Sequence, residues 1–329
     1  MNVLHLLELF VRIGALMKLI QRWFRKFVLF GCSCFAVGAL QADQKIELVD
    51  GDRIAFLGGT IFERDRLYGE IETALTEHFR GRRLIFRNIG WDGDTVFGDA
   101  RAGGRRGAIF GDAAEGFEKM LQHVKRVNPT VVFVSYGATE AHAGIEGLEA
   151  FESGFELVLD KIRAPRRKVV LLTPLRVLGE GVPQRLLASS QVDQLNLNLK
   201  HYRDAIVRIG DERRFPVVDL FNAPDLLQAE DRINGLHLSQ AGYRELGDYL
   251  VRSACGASAS TGGRGAEKRA ALGDLIRRKN ELFYNFWRPR NDAFVFGERK
   301  SEQVPVQLEL PQFETLIREM ESSIHQLSN

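Results

Sequence analysis

Cysteine, long apolar runs and net charge are all scarce in this sequence. Only three of 329 residues are cysteine, and two of them, Cys32 and Cys34, share one short apolar segment near the start. Cys255 is left alone, so no disulfide framework or paired-cysteine metal cluster can be built and the fold must rest on its hydrophobic core. Lys and Arg (45) nearly cancel Asp and Glu (43), which removes any global attraction to nucleic acid or to an anionic membrane surface. A Walker-type phosphate loop, an HExxH helix and internal repeats are also missing. P-loop nucleotide hydrolysis and zincin chemistry go with them. The sequence implies no metal and no cofactor.

The longest apolar run, 27–40, follows Lys18, Arg22, Arg25 and Lys26 and precedes Gln41-Ala42-Asp43. It is too short to span a bilayer comfortably and has the layout of a secretory signal peptide. The expectation is a leader over 1–42, with Met17 as the initiator and 1–16 an over-extended start. The mature protein is then secreted or periplasmic, with no stable membrane span. A membrane anchor is one alternative. A lipoprotein attached through Cys32 is another, although Phe30 is bulky for the lipobox Leu29-Phe30-Gly31-Cys32.

Beyond the leader, short apolar runs alternate with helical periodicity. Strands are expected over 53–57, 84–87, 131–134, 168–172 and 217–218, and helices over 68–79, 117–127, 148–162, 192–209 and 241–251. Val131-Val132-Phe133-Val134 is unbroken, as a parallel strand covered on both faces requires. The repeated βα pattern gives a three-layer α/β/α sandwich with a central parallel sheet, over 45–253. An Ala, Ser, Gly and Thr-rich linker follows at 254–265. The extension 266–329 carries Phe283, Tyr284, Phe286, Trp287, Phe294 and Phe296 and ends in a helix over 313–327. It is too small to bury so many aromatics alone, which predicts that it packs on the main domain as a clasp, or as a substrate lid or docking arm.

Four segments fall at strand ends, where open parallel sheets place their sites. They are Phe56-Leu57-Gly58-Gly59-Thr60, Asn88-Ile89-Gly90-Trp91-Asp92-Gly93-Asp94-Thr95, Tyr136-Gly137-Ala138-Thr139-Glu140 and Asn234-Gly235-Leu236-His237-Leu238. In this order they resemble the four blocks of the SGNH (GDSL-type) hydrolases, over about residues 45–251. The resemblance implies a flavodoxin-like sandwich and an esterase or acylhydrolase. In that family a serine attacks an ester carbonyl, a block-two glycine and a block-three asparagine hold the oxyanion, and a D-x-x-H segment supplies the base and its orienting acid. Carried over, His237 is the base and Gly93 the oxyanion glycine, both unchanged. Thr60 stands at the nucleophile, Thr139 at the asparagine and Asn234 at the aspartate.

Each replacement has a physical consequence. Threonine keeps a hydroxyl that histidine can deprotonate, but its methyl restricts χ1. Thr139 donates from a shorter arm, and losing an oxyanion donor costs about a hundred- to a thousandfold in rate. Asn234 orients an imidazole without its charge, a change that costs a serine protease about ten thousandfold. Asp231, Glu63 or Asp65 can supply charge instead. The plain alternatives are that Thr60 is a helix N-cap, that His237 is a satisfied histidine before a helix capped by Ser239, and that Gly90 and Gly93 mark only a tight turn.

Two further features bear on substrate. Trp91 offers a stacking face for a sugar or belongs to the core. The basic, glycine-rich stretch with Arg101 and Arg105 either recognises an anionic or polyhydroxylated ligand or is a solvated loop. The reading is an exported esterase or deacylase acting on a small ester, such as an acetylated carbohydrate. The rival is a catalytically weakened binding module for carbohydrate or a protein partner. A lipid acylhydrolase with an apolar groove under the aromatic tail is a third possibility.

Overall fold

The computed structural model describes residues 45–102, 113–180, 182–183, 187–226, 228–256, 265–288 and 300–329. The leader expected over 1–42, the centre of the linker, and Phe294 and Phe296 lie outside these residues.

Five strands form, β1 (Arg53–Gly58), β2 (Ile85–Asn88), β3 (Val131–Ser135), β4 (Lys168–Leu172) and β5 (Val217–Val218). All pair in parallel, in the order β2-β1-β3-β4-β5. Parallel neighbours need long crossovers, and these are made by α1 (Thr60–Asp65), α2 (Glu70–His78), α3 (Ala113–Val127), α4 (Leu148–Lys161) and α5 (Ser189–Arg213). The helix α6 (Gln240–Cys255) follows β5.

Side chains alternate across the sheet and both faces are covered. Ala55, Leu57, Val132 and Val134 pack with Phe151, Phe155 and Ile206 on one side. Ile54, Phe56, Val131 and Phe133 pack with Leu75 and Leu246 on the other. Burial on both faces is why β3 is apolar at every position of its first four residues. The strands fall where the sequence predicts, within a residue or so at each end.

Two helices depart from the sequence expectation. The six-residue α1 is too short to display a helical period. The last helix, α8 (Lys300–Ser328), begins well before residue 313 and contains Pro305 and Pro311. Proline deprives a helix of one backbone hydrogen bond, so the sequence pattern reads as starting only beyond Pro311. No helix among the described residues is long and apolar enough to cross a membrane.

The C-terminal segment packs back on the sandwich through α7 (Ala266–Trp287) and α8. Phe283, Phe286 and Trp287 join the core layer that contains Val132, and Arg87 of β2 pairs with Glu321 of α8. The anchor is Lys279, wholly buried, whose Nζ donates to both Glu72 carboxylate oxygens (2.8 and 2.6 Å) and to the Phe86 carbonyl (3.3 Å). Burial raises the Glu72 pKa and lowers that of Lys279, and in each case the partner's charge opposes the shift.

The chain leaves β1 for β2 on one side and then crosses to β3 on the other, so a crevice opens at the carboxyl ends of β1 and β3. The two ends approach closely because residue 58 is glycine. A Cβ there would lie 2.1 Å from the Ser135 carbonyl oxygen. Thr60 follows two residues later, at the crevice.

Removing one member of a buried ion pair strands the other. Lys279→Met is expected to lower unfolding free energy in urea by about 3–5 kcal/mol, and adding Glu72→Leu to recover most of the loss.

Candidate active site

Thr60 opens α1 and is half-buried. The helix N-cap is Gly59, and no side chain caps it, so the Thr60 hydroxyl is not spent on an amide of its own helix. It donates to Asp92 Oδ1 (2.6 Å) and accepts from the Gly93 N–H (3.2 Å). Gly93 has φ +70, in the left-handed region where glycine is unstrained. The turn is closed by the Asp94 N–H on the Trp91 carbonyl (3.0 Å).

His237 sits in a tight hairpin, with Arg232 bridged to Leu238 and the Ile233 N–H on the His237 carbonyl (2.8 Å). Asn234 Oδ1 accepts the amides of Leu236 (3.3 Å) and His237 (3.1 Å) and faces His237 Nδ1 at 3.1 Å. An atom that takes two amide N–H groups is the oxygen, so Nδ1 must be the donor and Nε2 keeps its lone pair. Burial lowers the His237 pKa, with Arg64 and Arg232 acting in the same direction and Asp92 opposing them. A neutral ring with a free Nε2 is a proton acceptor. Ser239 caps α6 independently, accepting the Gly242 N–H at 3.2 Å.

Thr60, Thr139 and His237 open onto one cavity of about 330 Å³, whose apolar walls include Leu175, Val177, Leu195, Leu199 and Leu236. Gly93 reaches it through its bond to Thr60. Thr139 is half-buried, and among the described residues its hydroxyl makes no hydrogen bond to protein. A second cavity of about 530 Å³ shares Val177 and is lined by Arg176, Asp193, Asn196 and Lys200. Among the described residues no three His, Cys, Asp or Glu side chains converge as metal ligands would.

Other expected site residues have different roles. Arg101 is fully buried. Its Nε donates to Asp94 Oδ2 (2.6 Å), its Nη2 to the Ile89 carbonyl (2.9 Å), and its Nη1 lies 3.1 Å from His123 Nδ1. All three nitrogens of its fork are engaged, so it holds the loop and cannot contact substrate. The ring of Trp91 is covered by the Arg288 guanidinium at 3.4 Å and stacked on His123, so it is engaged by protein groups. Arg105 lies outside the described residues. The described aromatics of the C-terminal segment do not line the Thr60 cavity, so the groove expected beneath them is not part of this site.

Two of the acids expected to replace the missing charge are committed elsewhere: Asp65 accepts the Glu70 and Ile71 amides (3.0 and 3.3 Å), and Glu63 pairs with Arg66 (3.4 Å). Burial and Glu230 raise the Asp231 pKa. The acid that touches Thr60 is Asp92, which sequence reasoning left without a role. Its only signal there was a carboxylate immediately before the oxyanion glycine.

Two buried carboxylates hold the loops. Asp94 takes Arg101 and the Tyr136 hydroxyl (3.2 Å) on one oxygen. Glu140 accepts the Val96 amide (2.9 Å) and the Gly137 amide (2.8 Å). Burial pushes the Glu140 carboxyl up to about 7, while its amide hydrogen bonds act the other way.

The profile of the GDSL-like lipase/acylhydrolase family matches residues 51–245. No curated protein sequence matches the chain. Among solved structures it is similar to a gut microbial diltiazem-metabolizing enzyme, with a TM-score of 0.58 and 12% identity over 86% of this chain and 96% of that one. It is also similar to a catalytic mutant of an acetylxylan esterase from Geobacillus stearothermophilus (0.46, 16%, 63% and 96%). A lipase/acylhydrolase from Enterococcus faecalis gives 0.43, 22%, 62% and 96%. At 12% identity the first likeness shows a shared fold.

Glu140 makes stability pH-dependent. An acid whose folded pKa lies above its unfolded value of 4.5 binds more protons in the native state, so stability falls as pH rises from that value through about 7. Glu140→Gln is expected to be less stable than the parent near pH 5, where its carboxyl hydrogen bonds are lost. It should also shed up to roughly 3 kcal/mol of the decline between about pH 5 and pH 8, as measured by urea unfolding at both values.

Proposed function

The chain belongs to the GDSL-like lipase/acylhydrolase family, and on that premise we propose that it is an exported esterase or deacylase in which Thr60 attacks a small ester and forms an acyl-enzyme. The observation that carries this reading is that Thr60 and a His237 ring with a free Nε2 open onto the same cavity, with the Gly93 amide already on the Thr60 oxygen.

In this reading His237 Nε2 takes the Thr60 proton as Oγ1 bonds to the acyl carbon. As Thr60 attacks, the Gly93 amide shifts from its oxygen to the developing oxyanion, to which the Thr139 hydroxyl also donates. His237 then protonates the leaving alcohol, and water repeats the sequence to release the acid. The leucine-lined cavity suits the acyl group. The neighbouring polar cavity with Arg176, Asp193, Asn196 and Lys200 suits a polyhydroxylated alcohol such as an acetylated carbohydrate. The basic, then apolar, pattern of 1–42 supports export.

A second reading is a binding module with residual or no catalysis. It is favoured by the Thr60 proton pointing to Asp92, with no hydrogen bond to His237 among the described residues.

Protein lacking residues 1–42, assayed on p-nitrophenyl acetate and acetylated oligosaccharides, distinguishes the two. Thr60→Ala and His237→Ala are each expected to lower kcat/KM by about a hundredfold or more. Turnover that survives both substitutions overturns the assignment, and saturable binding of the oligosaccharides without turnover favours the module.

A further inference from the structure

A histidine that takes a proton from an alcohol becomes an imidazolium, and the site must stabilise that charge. Asn234 fixes the ring through Nδ1 but is neutral. The nearby cations, Arg64 of α1 and Arg232 of the hairpin, work against a positive ring. Asp94, Glu140, His142 and Tyr243 also line the cavity, but Asp94 is neutralised by Arg101 and both Glu140 oxygens accept backbone amides. Asp92 remains, on the loop beside Gly93, with Oδ1 2.6 Å from Thr60 Oγ1.

We propose that Asp92, bonded to the Thr60 hydroxyl, supplies the negative charge that the Asn234 position lacks and at the same time holds that hydroxyl at the point of attack. The catalytic half of this proposal rests on the ester-hydrolase reading, whereas the charge relation between Asp92 and His237 does not. Asp92 takes no proton in this step. The Thr60 O–H bond breaks, the Oγ1–acyl carbon bond forms, and the proton passes to His237 Nε2, since imidazole is the stronger base of the two side-chain types. The alcohol later leaves with that proton. Asp92 first orients the hydroxyl and then faces the imidazolium that its departure creates. Its charge opposes the lowering of the His237 pKa by burial and by the two arginines, as this role requires.

Asp92→Asn keeps a carbonyl acceptor for Thr60 and removes only the charge. Titration of the His237 ring by NMR is expected to give a midpoint shifted to lower pH in Asp92→Asn. In the double variant Asp92→Asn, Asn234→Asp it should return to or above the parental value. On p-nitrophenyl acetate, Asp92→Asn is expected to lose about ten- to a hundredfold in kcat and to move the acid limb of kcat/KM to lower pH, with Asn234→Asp recovering most of the loss. Rescue from position 234 distinguishes a charge role from a structural one. A His237 midpoint unmoved by Asp92→Asn overturns the proposal whatever the activities. A shifted midpoint in a protein that hydrolyses no ester upholds the charge relation and overturns the hydrolase reading instead. A shifted midpoint with kcat unchanged overturns the catalytic role of Asp92.

Discussion

The site depends on one buried contact, the ion pair between Asp94 and Arg101, whose side chains are fully shielded from water. Charges so placed are tolerated only when neutralised and hydrogen-bonded, and here the requirement fixes a loop. Arg101 reaches the Ile89 carbonyl and His123 while it holds Asp94, and Tyr136 at the end of β3 closes on the same carboxylate. The loop after β2 therefore has one position, set jointly by β2, β3 and α3. Asp92 and Gly93 precede Asp94 directly, so the position that satisfies the buried pair also brings both of them to the Thr60 hydroxyl. Burial and the surrounding cations Arg101, Lys119, Arg126 and Arg288 push His123 down to about 3, so its ring is neutral and its Nδ1 can accept from Arg101.

The site is best understood as a redistribution of roles. An aspartate at position 234 would both aim the imidazole and balance its charge. Asn234 retains the aim, through an oxygen that binds the ring and two backbone amides at once. A carboxylate is present instead on Asp92, against the nucleophile's hydroxyl. Threonine fits this arrangement because its hydroxyl is already held by two partners, so the methyl's restriction of χ1 works with the site.

Much of this was legible in the sequence. An unbroken apolar run such as 131–134 belongs to a parallel strand buried on both faces, and His237 was legible because it arrives within a whole segment at a strand end. What was not legible depended on convergence in space. Arg101 stands at the head of a basic, glycine-rich stretch that reads as solvated, yet it is buried because its counter-ion lies seven residues earlier. Trp91 reads equally as a sugar platform or as core, and nothing in the sequence brings the guanidinium of Arg288 onto its ring. Asp92 showed only its place before Gly93. Its role comes from a hydroxyl 32 residues away, brought near by the pairing of β1 with β2.

The pair of Lys279 with Glu72 spans 207 positions of the chain. Without Lys279, burial of α2 against the sheet would leave Glu72 with only the weaker influence of Arg87 and would favour its neutral form. A contact so distant in sequence is slow to form, and it ties α7 to the layer beside β2. The C-terminal helices thus complete the sandwich, because Lys279 seals the charge that α2 buries beside β2.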